Sequence, residues 1–303
     1  MSDLSTEEFL QGESYWKSIP SSTNPFVNHI SGSLFQSITN EGVIRINSEN
    51  SILILEHDTF NTITSNQNGG CVFFSPGHSI YQRDTCAHKV YSSTKAKFSY
   101  VKISQALENV DYNFMISITD CTPDPVSDIF WIGGGKTSLS NYNSTNNYAS
   151  FSTAFYFGNS VGQANASFIN VLSGTATYSS LVYSDSNCIL KHSNFYNNKV
   201  NEKTECLLAV HASIFVIDHC VFAQNSAQIF ANNKISVLSC SFYENSFSST
   251  YPSIPYSGTH SFTVNTQCHM WKHDDCIKKY SCVSQYFTIN SFLFSFSIFI
   301  LFL

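Results

Sequence analysis

Charge is scarce in this chain. Asp, Glu, Lys and Arg make up only 12% of its 303 residues, and the net charge is a mild −6. No basic cluster or stripe occurs, which leaves no electrostatic footprint for nucleic acid. The first thirty residues lack a basic n-region and an apolar h-region, so no secretory signal peptide is expected there. Paired C-x-x-C spacing is absent, which argues against a zinc ribbon. No cofactor-binding motif is found, and no cofactor is expected. Cysteine, in contrast, is plentiful: ten residues, an abundance that points to an oxidising compartment.

Aromatic residues reach 15%, led by Phe and Tyr, a composition that reads as all-β. The organising stretch is 188–246. CILKHSNFYNN, FVIDHCVFAQN and ISVLSCSFYEN align on Phe195, Phe222 and Phe242, which are 27 and 20 residues apart. Apolar residues or a Cys stand seven and five positions before each Phe. A small residue stands two before it, and Asn198, Asn225 or Asn245 three after it. Positions −7 and −5 share one strand face, as do −2 and 0. The odd step between the pairs requires a corner at −4 and −3, where His192 and His219 fall. The Asn is expected to mark the next corner with a left-handed backbone.

Strand, corner, strand, corner, repeated at this period, predicts an all-β, right-handed parallel β-helix. Its expected internal ladder is Phe60, Phe168, Phe195, Phe222 and Phe242, with Asn198, Asn225 and Asn245 at the corners. The domain reading is an N-terminal segment over 1–30, a β-helix over 31–246 with a loop insertion near 133–149, a Cys-rich cap over 247–285 and a hydrophobic tail over 286–303. Repeated F-x-x-N, as at Phe195–Asn198, Phe222–Asn225 and Phe242–Asn245, together with G-G-x-[ILV] at Gly69, Gly70 and Val72, resembles the repeats of polymorphic outer-membrane-protein-type β-helix proteins and of similar surface proteins of some protists. That resemblance implies a surface-displayed solenoid.

Candidate chemistry is thin. No metal centre is expected; the nearest candidates are His192 and His219 with Asp218, which adjacent coils would bring together. Asp120, Asp124 and Asp128 resemble the acidic clusters of β-helix polysaccharide lyases and glycosidases, but no Arg stands nearby to act as base. Asn143 and Asn165 open N-x-[ST] sequons and are candidate glycosylation sites. Cys268, Cys276 and Cys282 crowd together as candidate disulfide partners, and an odd Cys there has an upstream residue to pair with. Cys220 and Cys240 share an inward phase and are expected to be buried free thiols.

From Tyr286 to Leu303 the chain is uncharged and increasingly apolar. As a helix it would span about 27 Å, marginal for a hydrocarbon core. A C-terminal anchor and a lipid-anchor signal are both compatible with it, and either implies the membrane as a partner. The expected function is non-enzymatic: a membrane-associated, cell-surface module for adhesion or for binding an extracellular glycan or protein. The alternative is a carbohydrate-active β-helix enzyme.

Overall fold

The computed structural model describes residues 8–11, 14–15, 27–121, 128–201 and 206–249. The chain divides into two compact units, Met1–Val264 and Asn265–Leu303, and everything described belongs to the first. It is a parallel β-solenoid of about seven turns, with no helix among the described residues. One coil illustrates the path. Cys188–Lys191 and Asn194–Tyr196 lie in one long sheet, Lys199–Val200 turns away, and Cys206–Val210 lies in a second sheet before Phe215–Asp218 re-enters the first. Coil length is not fixed. Gln82 meets Asn113 across a separation of 31 residues, whereas Cys220 meets Cys240 across 20.

What stays fixed is a pair of left-handed residues. Gly32 and Ser37, His57 and Thr62, Asp84 and Lys89, Met115 and Asp120, Asn141 and Asn146, Phe168 and Ser173, His192 and Asn197, His219 and Gln224, Ser239 and Glu244 all have positive φ. Each pair is five residues apart. Strand registers stack the pairs into two columns along the solenoid. The first column restores parity: one residue in this conformation lets the −5 and −2 side chains both point inward. Hydrogen bonding continues through the bends, since His192 N–H donates to Asp218 O at 3.0 Å and Asn197 N–H to Ala223 O at 3.0 Å. The corner expected at Asn198, Asn225 and Asn245 therefore lies one residue earlier. Those asparagines point inward instead.

The inner face of the first sheet carries Phe35 on Phe60, with centroids 5.0 Å apart, and later Phe195, Phe222 and Phe242 at 4.8 and 5.2 Å. Between these stacks the same column holds Ala87, Ile118, Ser144 and Val171. The space they leave is taken by a run of aromatic contacts through Phe60, Phe98, Phe130, Tyr142, Phe155 and Phe157, all fully buried.

Phe168 is a correction. It lies 27 residues before Phe195, but its coil is shorter than that: Ser167 pairs with Lys191 and Val171 with Phe195. Val171 takes the inward slot, and Phe168 sits on the corner with φ 56° and half its surface exposed.

The loop expected near 133–149 is a second correction. Lys136–Thr145 is a ten-residue strand paired on both sides. Thr137, Leu139, Tyr142 and Ser144 are buried along it, so its serines and asparagines disguise an ordinary in–out alternation. The β-solenoid also begins before residue 31, because Glu8–Gln11 pairs with Val27–Ser31. Residues 250–285 and the tail over 286–303, with Cys268, Cys276 and Cys282, lie outside the described residues.

Candidate aromatic strip and cleft

Six successive strands of the second sheet, from Ile44–Ile46 to Ser180–Ser184, each place one outward side chain between two buried ones. Arg45 stands between Ile44 and Ile46, Tyr100 between Ser99 and Val101, Trp131 between Phe130 and Ile132, Tyr156 between Phe155 and Phe157. Parallel registers bring these positions into single file: Arg45 opposite Phe73, then Tyr100, Trp131, Tyr156 and Tyr183. The outcome is a continuous exterior strip. The Arg45 guanidinium lies 4.4 Å over the Phe73 ring. Ring centroids then follow at 5.7 Å to Tyr100, 4.6 Å to Trp131, 5.5 Å to Tyr156 and 4.6 Å to Tyr183, ending 5.0 Å away on His211. The Tyr156 hydroxyl donates to Asp185 Oδ2. Contact between neighbouring rings stabilises each pair by about 0.5–1.5 kcal/mol beyond area burial. That contact leaves the outer edges toward solvent.

Trp131 is held by what its neighbours lack. A Cβ at Gly133 would meet the indole at 2.5 Å, and one at Gly158 would meet it at 2.8 Å. The benzo ring thus occupies the room of two missing side chains. Beside it lies a cleft of about 440 Å³. Trp131, Pro76 and Ile103 supply its apolar lining, and Gly133, Gly134 and Gly158 line it without side chains. Gln105, Asn159, Ser75 and Ser104 supply amides and hydroxyls, with Lys102 and Glu49 as the charges. Gln105 Nε2 donates to Asn159 O at 3.3 Å, bridging two coils across the cleft.

The residues singled out from the sequence lie elsewhere. The rings of His192 and His219 are 5.2 Å apart on the first corner column, and Phe168 stacks on His192 at 5.4 Å. Asp218 Oδ1 pairs with His219 Nδ1 at 2.6 Å. Among the described residues no group of three or more His, Cys, Asp or Glu is placed to hold a metal ion.

The aspartates do not converge. Asp120 pairs with His88 on the second corner column, while Asp128 is buried and accepts from the Ser152 N–H and hydroxyl at 3.2 and 2.6 Å. Burial pushes the Asp128 carboxyl up to about 6, against the opposing Ser152 hydrogen bonds. Asp124 lies outside the described residues.

Asn198, Asn225 and Asn245 form a buried ladder. Asn225 Oδ1 accepts from Asn198 N–H and Nδ2, while its own Nδ2 donates to Phe195 O, all between 2.9 and 3.1 Å. Asn245 repeats the pattern one coil on. Asn143 is buried and its amide nitrogen, the atom a glycan would occupy, donates to Ser117 Oγ at 3.2 Å. The fold thus encloses Asn143, whereas Asn165 is exposed. Cys71, Cys121, Cys188, Cys220 and Cys240 are free and buried, Cys206 is buried, and Cys86 is disulfide-bonded. Burial raises the Cys188 and Cys121 thiols, the latter to about 11, so these are inert space-fillers.

One buried carboxyl had no signal in the sequence. Asp111 Oδ1 accepts from Asn113 Nδ2, whose amide oxygen accepts from Gln82 Nε2, both at 2.8 Å. Gln82 and Asn113 stand in a column between Leu55 and Leu139, and Asp111 stands between Ile80 and Thr137, all of them buried. Desolvation pushes Asp111 up to about 8, with the Asn113 hydrogen bond opposing.

Fold and site together define a parallel β-solenoid with a continuous aromatic strip on one outer sheet face. No family model, curated protein or solved structure matches the chain.

Proposed function

We propose that this chain is a non-enzymatic, right-handed β-helix module that is displayed at a cell surface and binds an extracellular glycan or protein through the outer face of its second sheet. The single observation that carries the reading is the strip from Arg45 to His211, aromatic at every coil between. Large rigid aromatic side chains offer contact area at little entropic cost, and aromatic residues are enriched at recognition surfaces. Among the described residues the cleft contains a single carboxylate, Glu49, where acid–base cleavage of a glycoside takes two. Asp111 and Asp128, the carboxyls with raised pKa, are core groups away from solvent. Both facts favour binding over catalysis.

Surface display and membrane association rest on the sequence: the resemblance to repeat-bearing surface proteins and the apolar tail. The disulfide at Cys86 is compatible with an oxidising compartment. Among the described residues no helix is long and apolar enough to cross a membrane, so the tail is where association is assigned. The test pairs two measurements on the full-length chain. Fractionation of expressing cells is expected to place it with membranes, and a panel of immobilised extracellular-matrix proteins and polysaccharides is expected to retain it. Retention is expected to fall when Tyr100 and Tyr183 are both changed to Ala. Retention that ignores this double variant, or hydrolysis of a polysaccharide on the panel, overturns the binding reading.

A further inference from the structure

The geometry points to the cleft beside Trp131 as a seat for an uncharged oligosaccharide lying along the solenoid axis, an inference that rests on the outer face of the second sheet being the binding surface. Direction comes first. Ser75, Lys102, Trp131 and Gly158 belong to four successive coils of that sheet, and all four line the cleft. At strand spacing, four coils extend over about 14 Å. That is long for one sugar and suits several in line.

Composition comes next. Sugar rings have apolar C–H faces and equatorial hydroxyls, so a site for them needs an aromatic wall together with planar amides, hydroxyls and backbone groups. The cleft has Trp131 as wall, Gln105 and Asn159 as amides, and Ser75 and Ser104 as hydroxyls, with Gly133, Gly134 and Gly158 adding no side chain. Tyr100 covers one side of the indole, stacked at 4.6 Å. On the other side the next coil brings Tyr156 in at 87°, and glycine at 158 puts no side chain beside it. A protein ligand would be expected to bring apolar side chains to a deeper, drier pocket than this one.

Charge settles the kind of glycan. Among the described residues Lys102 and Glu49 are the charged ones lining the cleft, one of each sign, so that lining carries no net charge. A polyuronate would set its carboxylates against Glu49 with one cation to match them. A neutral chain meets no such mismatch.

Affinity electrophoresis of the full-length protein tests this, with galactomannan, xyloglucan and a β-glucan as neutral probes and polygalacturonate as the acidic one. At least one neutral polysaccharide is expected to retard the protein, with polygalacturonate inert. Trp131→Ala and Gly158→Ala are both expected to weaken retardation by about tenfold or more. Gly158→Ala keeps the indole but drives a methyl into it. Gln105→Ala, at an exposed position, is expected to weaken binding without touching the core, and it decides the matter if the other two fail to fold by circular dichroism. Tyr81→Ala, exposed on the first sheet, is expected to change nothing.

Retardation by polygalacturonate alone, or neutral retardation indifferent to Gln105→Ala and to whichever of the other two variants folds, overturns the inference. If no polysaccharide retards the chain while a protein is retained through Tyr100 and Tyr183, this inference falls and the broader binding reading stands. If nothing is retained at all, both fall.

Discussion

At the scale of single residues, the inward columns tolerate changes of chemistry only where the chain supplies partners. Phe222 is fully buried between two stacked rings, so Phe222→Ala is expected to cost about 3–5 kcal/mol in a urea titration. Asn225→Ala is expected to be costly too. It strands the Phe195 carbonyl and the Asn198 N–H, and each buried group left unsatisfied costs about 1–3 kcal/mol. A cost near zero at Asn225 would mean the ladder is solvated.

Asp111 gives a pH dependence whose sign follows from burial. Its folded value is raised from 3.8 to about 8, so between those limits the folded chain holds a proton that the unfolded chain has released. Stability is therefore expected to fall as pH rises through that window, with Asp128 adding the same trend up to about 6. Asp111→Asn keeps the shape and removes the titration. Thermal melts from pH 4 to pH 8 are expected to be flatter for the variant, and a profile as steep as the parent's would remove Asp111 as the cause.

At the scale of the element, the strand–corner–strand unit explains both what could be read and what could not. Phe195, Phe222 and Phe242 were legible because their coils share one internal frame, with Asn at the same offset each time. Phe168 misled because a period measured from coil to coil assumes equal coils, and this coil is short. The strand Lys136–Thr145 was hidden by Ser, Thr and Asn at both faces, which composition assigns to loops. The left-handed positions were hidden for a different reason: Gly, His, Asp, Met, Asn, Phe and Ser all occupy the first column, so no residue type marks it. The outward strip carried a readable signal, one aromatic flanked by apolar neighbours in FWI and FYF. The unequal coil lengths concealed that those aromatics share a line.

Phe168 supplies the sharpest test at this scale. A bulky residue in the left-handed region costs about 1–2 kcal/mol, which Asn or Gly largely avoids. Its contact with His192 returns part of that. Phe168→Asn is expected to be neutral or to stabilise by up to about 1 kcal/mol, whereas Val171→Asn, three residues further on and fully buried, is expected to destabilise strongly. A large loss at Phe168 would restore it to the ladder.

For the solenoid as a whole, each coil is supported by its neighbours on either side, so stability is expected to grade along the axis. The central strands Ser79–Ser92, Val110–Thr119, Lys136–Thr145 and Ala164–Leu172 run unbroken through the first corner, whereas the coils beyond them break into shorter strands. Hydrogen exchange is expected to be slowest in those four and faster in Ser236–Leu238 and Ser241–Tyr243. Uniform exchange across all coils would indicate a single cooperative unit instead.

The paired corners divide each coil into a measured part and an unmeasured one. Among the described coils the two left-handed residues are always five apart, so one residue added there would turn a buried side chain outward. The return path through the second sheet has no such count, and separations from 20 to 31 are already in use across the coils. Natural insertions, grafted peptides and lineage-to-lineage differences in length should therefore gather on that return arc. The two corner columns would then serve as the fixed frame by which distant chains of this kind can be aligned when little else in their sequences agrees.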